Sequence, residues 1–326
     1  AGPAVHVNAI SCPPPIGPVR ASYVANNGGG PVNRPLAVVI DNAVPARPAM
    51  NLTQADAVYE YVAEGGVTRF TAIYTKDDPG TIGPVRSSRL ISLDVAQQFE
   101  ALLVYHGASS GVQARIWNGG VYFVSFNEPA SAPIHSRLAN RPAPHNSITR
   151  LPQVRDYAQR KGVPPRVNDW PDFPRGDATA APTGPARRVS VGFSGPDGAP
   201  WADYRAEFRF VSEEGRYVRS TGGRPDIDGA SGQPISAETV VVQVAPVVVT
   251  DIVEDIFGSL SLDYQLHGEG KALYFRGGHY WEGCWRRPDT FGDTTFVGPD
   301  GRVFPFARGP VWIAVAPPAA PVIREA

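Results

Sequence analysis

Two cysteines, one methionine and three lysines are all that 326 residues contain of these types. The cysteines, Cys12 and Cys284, form no C-x-x-C pair, which argues against zinc and iron–sulfur centres. They are either two unrelated buried thiols or one long-range disulfide, which would require an oxidising compartment. No apolar run reaches the ~18 residues of a membrane helix, and Pro246 interrupts the longest candidate, Val240–Val249. Charge of one sign is missing too. The net charge of −1 leaves no basic field for nucleic acid. Three lysines against 27 arginines point to a GC-rich coding bias, not to a fold.

What is abundant is turn chemistry. The 34 glycines and 34 prolines far exceed the roughly 12% expected for the pair and favour a β-rich chain with ordered loops. The 32 aromatics spread along the sequence speak against disorder. The start, AGPAVHVNAISCPPP, has no initiator Met and reads as processed or truncated; removal of a signal sequence would imply export.

Residues 1–34 read as an extended arm. From 35 to 162, strands (LAVVID, AVYEYVAE, TRFTAIYT, ALLVYHG) alternate with helices after Ser87/Ser88, over 109–120 and over 149–161, and Thr53 adds a helix-start signal. That alternation predicts a mixed α/β layered domain. A Pro-rich stretch, 163–187, reads as a linker. Short strands and turns such as GPDG (195–198 and 298–301) predict an antiparallel β-rich domain over 188–316, a sandwich or open barrel, followed by a Pro/Ala tail at 317–326. The fold class expected is α+β.

The most informative segment is Ala63–Arg89, AEGGVTRFTAIYTKDDPGTIGPVRSSR. Arg69, Arg86 and Arg89 bracket a core strand, and buried arginine needs an anion. Either they pair with Glu60 and Glu64 as an internal frame, or they line an anion cleft with the helix opening at Ser87. Asp41 and Asn42 end the first strand, where ligands sit in open α/β sheets, or they simply form a turn. His106, His145 and Glu64 are the candidate acid–base groups, with Ser109 a conceivable nucleophile, although no G-x-S-x-G elbow supports it. The plainer reading has both histidines ordering loops. DIDG (226–229) is a fragment of a calcium loop without the rest of it, and no motif calls for a cofactor or metal. The Trp and Tyr residues at 280, 281, 285 and 312 fit core packing better than a sugar platform.

Several blocks carry a resemblance: RPLAVVIDN (34–42), ARP (46–48), ADAVYEYVAEGGVTRFTAIY (55–74), IGPVRSSR (82–89), VYHGASSGVQA (104–114), APHN (143–146), YVRSTGG (217–223), TVVVQV (239–244) and GKALYFRGG (270–278). Over residues 34–316 the chain resembles the YerB-like bacterial lipoproteins, a two-domain family of unknown function. The resemblance implies an exported protein, usually anchored through a lipidated N-terminal cysteine, and implies no particular reaction. The chain departs from the family at PDID (225–228), where a histidine is lost, and at GCW (283–285), which puts Cys284 in a strand position and favours a bond to Cys12; lipidation of Cys12 is the competing role.

The combined expectation is a cell-envelope binding or accessory module for an anionic or carbohydrate ligand. Its cleft would be lined by Asp41, Asn42, Glu64, Arg69, Arg86, Ser87, Arg89, His106, Ser109, His145 and Asn146. The alternatives are a hydrolase or transferase on an envelope polymer, and a structural subunit meeting a protein partner through the arm.

Overall fold

Uninterrupted apolar strands such as LAVVI and TVVVQV need cover on both faces. One mixed sheet of eleven strands provides it. Described in the computed structural model are residues 12–16, 32–76, 78–167, 173–193, 204–290 and 292–326; most of the arm and the first GPDG lie outside them. Along the sheet the order is Gly184–Pro185, His279–Arg287, Gly268–Arg276, Thr239–Val244, Val311–Ala316, Ala57–Val62, Thr68–Tyr74, Leu36–Asp41, Leu102–Tyr105 and Phe123–Ser125, with Thr295–Val297 beside His279–Arg287. Strands of both halves therefore share one sheet. The seam is a parallel pair, with Val311 opposite Ala57 and Ala314 opposite Glu60.

Side chains alternate between two cores. Leu36, Val38, Ile40, Val240, Val242 and Trp312 face one core. It is closed by helix α3 (Leu151–Arg160) and by a second, six-stranded antiparallel sheet that includes Ala206–Val211 and Arg216–Thr221. Ala37, Val39, Val241, Ile313 and Val315 face the other. It is closed by α1 (Leu90–Gln98), α2 (Ser110–Asn118) and a cluster of Phe296, Phe304 and Phe306. The fold is α+β with a β-rich C-terminal half, as expected, and that half forms a sandwich with the shared sheet. Trp281, Trp285 and Trp312 are buried in these cores.

Two local expectations are corrected, and the break at Pro246 is kept. The Thr53 signal starts only a 3-10 turn, Leu52–Gln54, because Asp228 takes both Thr53 N–H and Oγ1–H and the chain enters the next strand at Ala57. The closing tail is not free: Val322–Glu325 pairs antiparallel with Arg188–Val191, anchored by buried Val322. The apolar run at 240–249 is two strands, Thr239–Val244 and Val247–Val253, because Pro246 cannot continue the ladder. Cys12 and Cys284 are bonded, with Cα atoms 5.6 Å apart, and both are buried against Val297. Among the described residues no helix is long and apolar enough to cross a membrane.

Candidate functional site

Three mutually parallel strands, Leu36–Asp41, Leu102–Tyr105 and Phe123–Ser125, deliver their carboxyl ends to one place. Ligands gather beyond such ends in open sheets. Asp41, His106 and Asn127 lie at or just past these ends, and His106 and Asn127 line a cleft of about 330 Å³. Arg86, Ser87, Arg89, Ser109, Arg137 and the carboxylate Glu254 complete its polar wall. The segment before α1 is pinned to the strand ends: Arg86 N–H donates to Val39 O at 2.9 Å, and His106 N–H to Arg86 O at 3.0 Å. Gly107, at φ +82°, makes the turn that lets its carbonyl accept Ser88 N–H at 2.9 Å. The helices α1 and α2 both open at the cleft, with N-caps Arg89 and Ser109, so their positive dipole ends face it. Ser109 Oγ accepts Val112 N–H at 3.4 Å, which commits its hydroxyl to capping.

Behind this wall lies a frame of alternating charge. Glu64 accepts Arg69 Nη2–H at 2.9 Å and is gripped by Arg89 through Nε and Nη2. Burial alone would raise the Glu64 carboxyl, but Arg69 and Arg89 outweigh it and hold it down at about 2. Arg69 is pushed down to about 10, by burial first and then by Arg89. Arg69 Nη1 also donates to Ser87 O at 3.0 Å. Glu254, from the C-terminal half, places its fully buried carboxylate 3.4 Å from Arg89 Nη1. Arg86 Nε lies 3.2 Å from Asp41 Oδ2, and His145 Nδ1 lies 2.7 Å from the same oxygen.

At the mouth, Arg137 donates to Asn146 Oδ1 at 2.7 Å and to His106 Nε2 at 3.4 Å. It meets no carboxylate among the described residues. A guanidinium only donates, so His106 Nε2 is the acceptor and its Nδ1–H donates to Ser147 Oγ at 2.7 Å. The imidazole is pushed down to about 4, by burial first and then by Arg137, His135 and Arg86. It is neutral at pH 7.

The structure thus brings Arg86, Ser87, Arg89, His106 and Ser109 to the cleft, with Asn146 one bond behind Arg137. Glu64, Arg69, Asp41 and His145 form its backing. Asn42 faces the opposite side of the sheet, where its Nδ2 donates to Thr68 Oγ1 at 2.7 Å. Glu60 pairs neither with Arg69 nor with Arg86: it is bound by Arg219 Nη2 at 2.6 Å and Trp312 Nε1 at 3.0 Å. Sequence reasoning missed Arg137, Glu254 and Arg219, which sit in ordinary strands or loops and meet their partners only through tertiary pairing. The DIDG carboxylates are already engaged, Asp226 by Arg219 and Asp228 by the N–H groups of Thr53, Ala230 and Ser231.

A shared sheet built from two sequence halves, with a charged cleft at its parallel strand ends, defines a two-part α+β protein. The chain matches the N-terminal domain of a protein family of unknown function (DUF3048) over residues 25–164 and its C-terminal domain over 199–313, and it belongs to that family. It is 30% identical over 285 residues to the Bacillus subtilis (strain 168) protein named "Putative lipoprotein YerB", covering 87% of this chain and 81% of that protein. The crystal structure of the YerB protein from Bacillus subtilis superposes with a TM-score of 0.76 at 26% identity, over 94% of this chain and 99% of that one.

Proposed function

We propose that this chain is an exported, envelope-associated module that binds an anionic ligand in the cleft between Arg86, Arg137 and the openings of α1 and α2. The observation that carries the reading is the distribution of partners. Arg69 is held by Glu64 and by Ser87 O, and Arg89 by Glu64 and Glu254, so these stiffen the wall. Among the described residues Arg137 has only neutral partners, and Arg86, which also lines the cleft, gives Nε to Asp41 and Nη1–H to Ser87 Oγ at 3.3 Å. Two guanidinia held in fixed poses beside two helix N-termini suit a phosphate, sulfate or carboxylate group. Ser87 Oγ–H donates to His106 O at 3.1 Å and accepts Arg86 Nη1–H at 3.3 Å, which helps to hold Arg86 in place. Sulfate, compared with chloride at equal ionic strength, is the test. Binding raises the melting temperature through mass action, by an equivalent of about 2.7 kcal/mol at a hundred times Kd. Arg137→Ala and Arg86→Ala abolish the shift. Equal response of both variants and the wild type removes the reading.

A second reading rests on the Asp41–His145 pair. A buried carboxylate on Nδ1 orients an imidazole as a general base in hydrolases. In that reading His145 and His106 serve an envelope polymer held by the arginines, and Glu64 positions Arg89. Loss of turnover, with unchanged sulfate binding, in His145→Gln distinguishes it.

A further inference from the structure

Residues 41 and 42 are neighbours on one strand end and point to opposite faces of the sheet. Asp41 serves the cleft described above. Asn42 lines a second one, also about 330 Å³, between the halves of the chain. Its walls are apolar: Phe70, Pro48, Ile227 and Ile235. Three arginines also line it, Arg47, Arg219 and Arg224.

Their nitrogens are unevenly used. Arg219 is 1% exposed and stacks on Trp312 with 4.6 Å between guanidinium carbon and ring centre. Its terminal nitrogens serve Glu60, Asp226 and Thr221, but its buried Nε has no partner among the described residues. Arg47 lies over the Tyr204 ring and gives Nε–H to Asn42 O at 3.1 Å and Oδ1 at 3.0 Å. Its buried Nη2 also has no partner among the described residues, and no carboxylate there pairs with it. Arg224 is exposed at the rim. Among the described residues three guanidinia thus face two carboxylates, Glu60 and Asp226. Buried donors without acceptors cost free energy that an acceptor would recover.

From this geometry we infer that the second cleft is a binding site for a small organic carboxylate with an apolar body. The carboxylate meets Arg47 and the rim arginine, and the apolar part lies on Phe70, Ile227 and Ile235. One net positive charge matches a monoanion. At ~30 Å³ per water-sized group the space takes about ten non-hydrogen atoms. An acyl chain and a peptide C-terminus with an apolar side chain share this chemistry. The site does not depend on the first cleft, because its side chains project from the other face of the sheet.

Isothermal titration of the whole chain tests it with octanoate, N-acetylleucine, octylamine and sulfate. Octanoate or N-acetylleucine binds, and whichever is tighter identifies the source. Arg47→Gln weakens that binding at least tenfold. Ile227→Trp, at a site 38% exposed, fills the apolar wall and does the same without touching the core. Octylamine does not bind, and any sulfate binding survives Arg47→Gln. The inference is overturned if neither carboxylate binds, if octylamine binds as well as octanoate, or if folded Arg47→Gln and Ile227→Trp both bind like the wild type. A sulfate response lost only in Arg137→Ala speaks to the first cleft alone.

Discussion

Oδ2 of Asp41 lies 2.7 Å from Nδ1 of His145, which stands 104 positions further along the chain. The same oxygen is 3.2 Å from Arg86 Nε, so one carboxylate aims two cationic or titratable groups at once. Asp41→Asn leaves Arg86 and His145 with a neutral partner and costs about 2 kcal/mol of stability, read by urea unfolding. It also removes a negative charge behind the cleft. Sulfate affinity therefore rises a few-fold at low ionic strength, equivalent to about 1 kcal/mol. A fall in affinity would mean that the orientation of Arg86, and not the local potential, governs binding.

Glu64 gives the fold an acid limit. Its carboxyl sits at about 2 in the folded chain against an ordinary 4.5, since Arg69 and Arg89 outweigh burial. A depressed carboxyl contributes stability that is complete above 4.5 and is lost as the pH falls from 4.5 toward 2. The pKa gap corresponds to about 3 kcal/mol at neutral pH. In Glu64→Gln that pH-dependent part disappears, and the variant is less stable at pH 7 by about 3 kcal/mol because buried Arg69 loses its anion and Arg89 is left with Glu254 alone. Unfolding curves at pH 7, 4.5 and 3 check both statements.

His106 reports on cleft occupancy. Burial, then Arg137, His135 and Arg86, keep it neutral to about pH 4. A bound anion supplies the opposite charge, raises the imidazole and makes binding take up protons. Between pH 4 and 6.5 sulfate affinity increases as the pH falls. Calorimetry in buffers of differing ionisation enthalpy shows the uptake, and His106→Gln abolishes it while retaining sulfate binding at pH 7.5.

The legible parts of the sequence were those whose physics is local. Strands such as Leu36–Asp41 announce themselves because both faces are buried, and α2 because Ser109 caps it and Gly119 ends it. The Glu64–Arg69–Arg89 frame was readable because its members fall within one segment. Arg137 was not: it is one exposed arginine in a short strand, and only the pairing of His135–Arg137 with Ser147–Arg150 brings it over His106. Glu254 and Arg219 arrive from the C-terminal half, and nothing local marks them as partners of Arg89 and Glu60. The sharing of one sheet was hidden for the same reason, since the parallel seam of Val311–Ala316 on Ala57–Val62 joins residues far apart in sequence.

The Cys12–Cys284 bond spans 272 positions. Chain-entropy reasoning gives about 5–6 kcal/mol for a cross-link over so long a loop, and residual structure in the reduced chain brings the effect to about 2–4 kcal/mol. Cys12→Ser with Cys284→Ser lowers the urea midpoint accordingly, and dithiothreitol has no further effect on the double variant. An unchanged midpoint would mean that the arm contributes nothing to folding.

Arg219 joins the halves of the chain from inside. At 1% exposure it donates to Glu60, itself fully buried, and to Asp226, and it stacks between Phe70, Phe208 and Trp312. Burial pushes the Glu60 carboxyl up, and Arg219 opposes that push. Removing one partner of such a pair strands the other, so Arg219→Ala costs about 3–5 kcal/mol. Replacing both by apolar residues removes two desolvation penalties together. Arg219→Met with Glu60→Leu therefore recovers at least half of the single-variant loss, and a thermodynamic cycle of the two positions measures a coupling well above the roughly 1 kcal/mol of an exposed pair. Strict additivity would show that the network does not hold the seam.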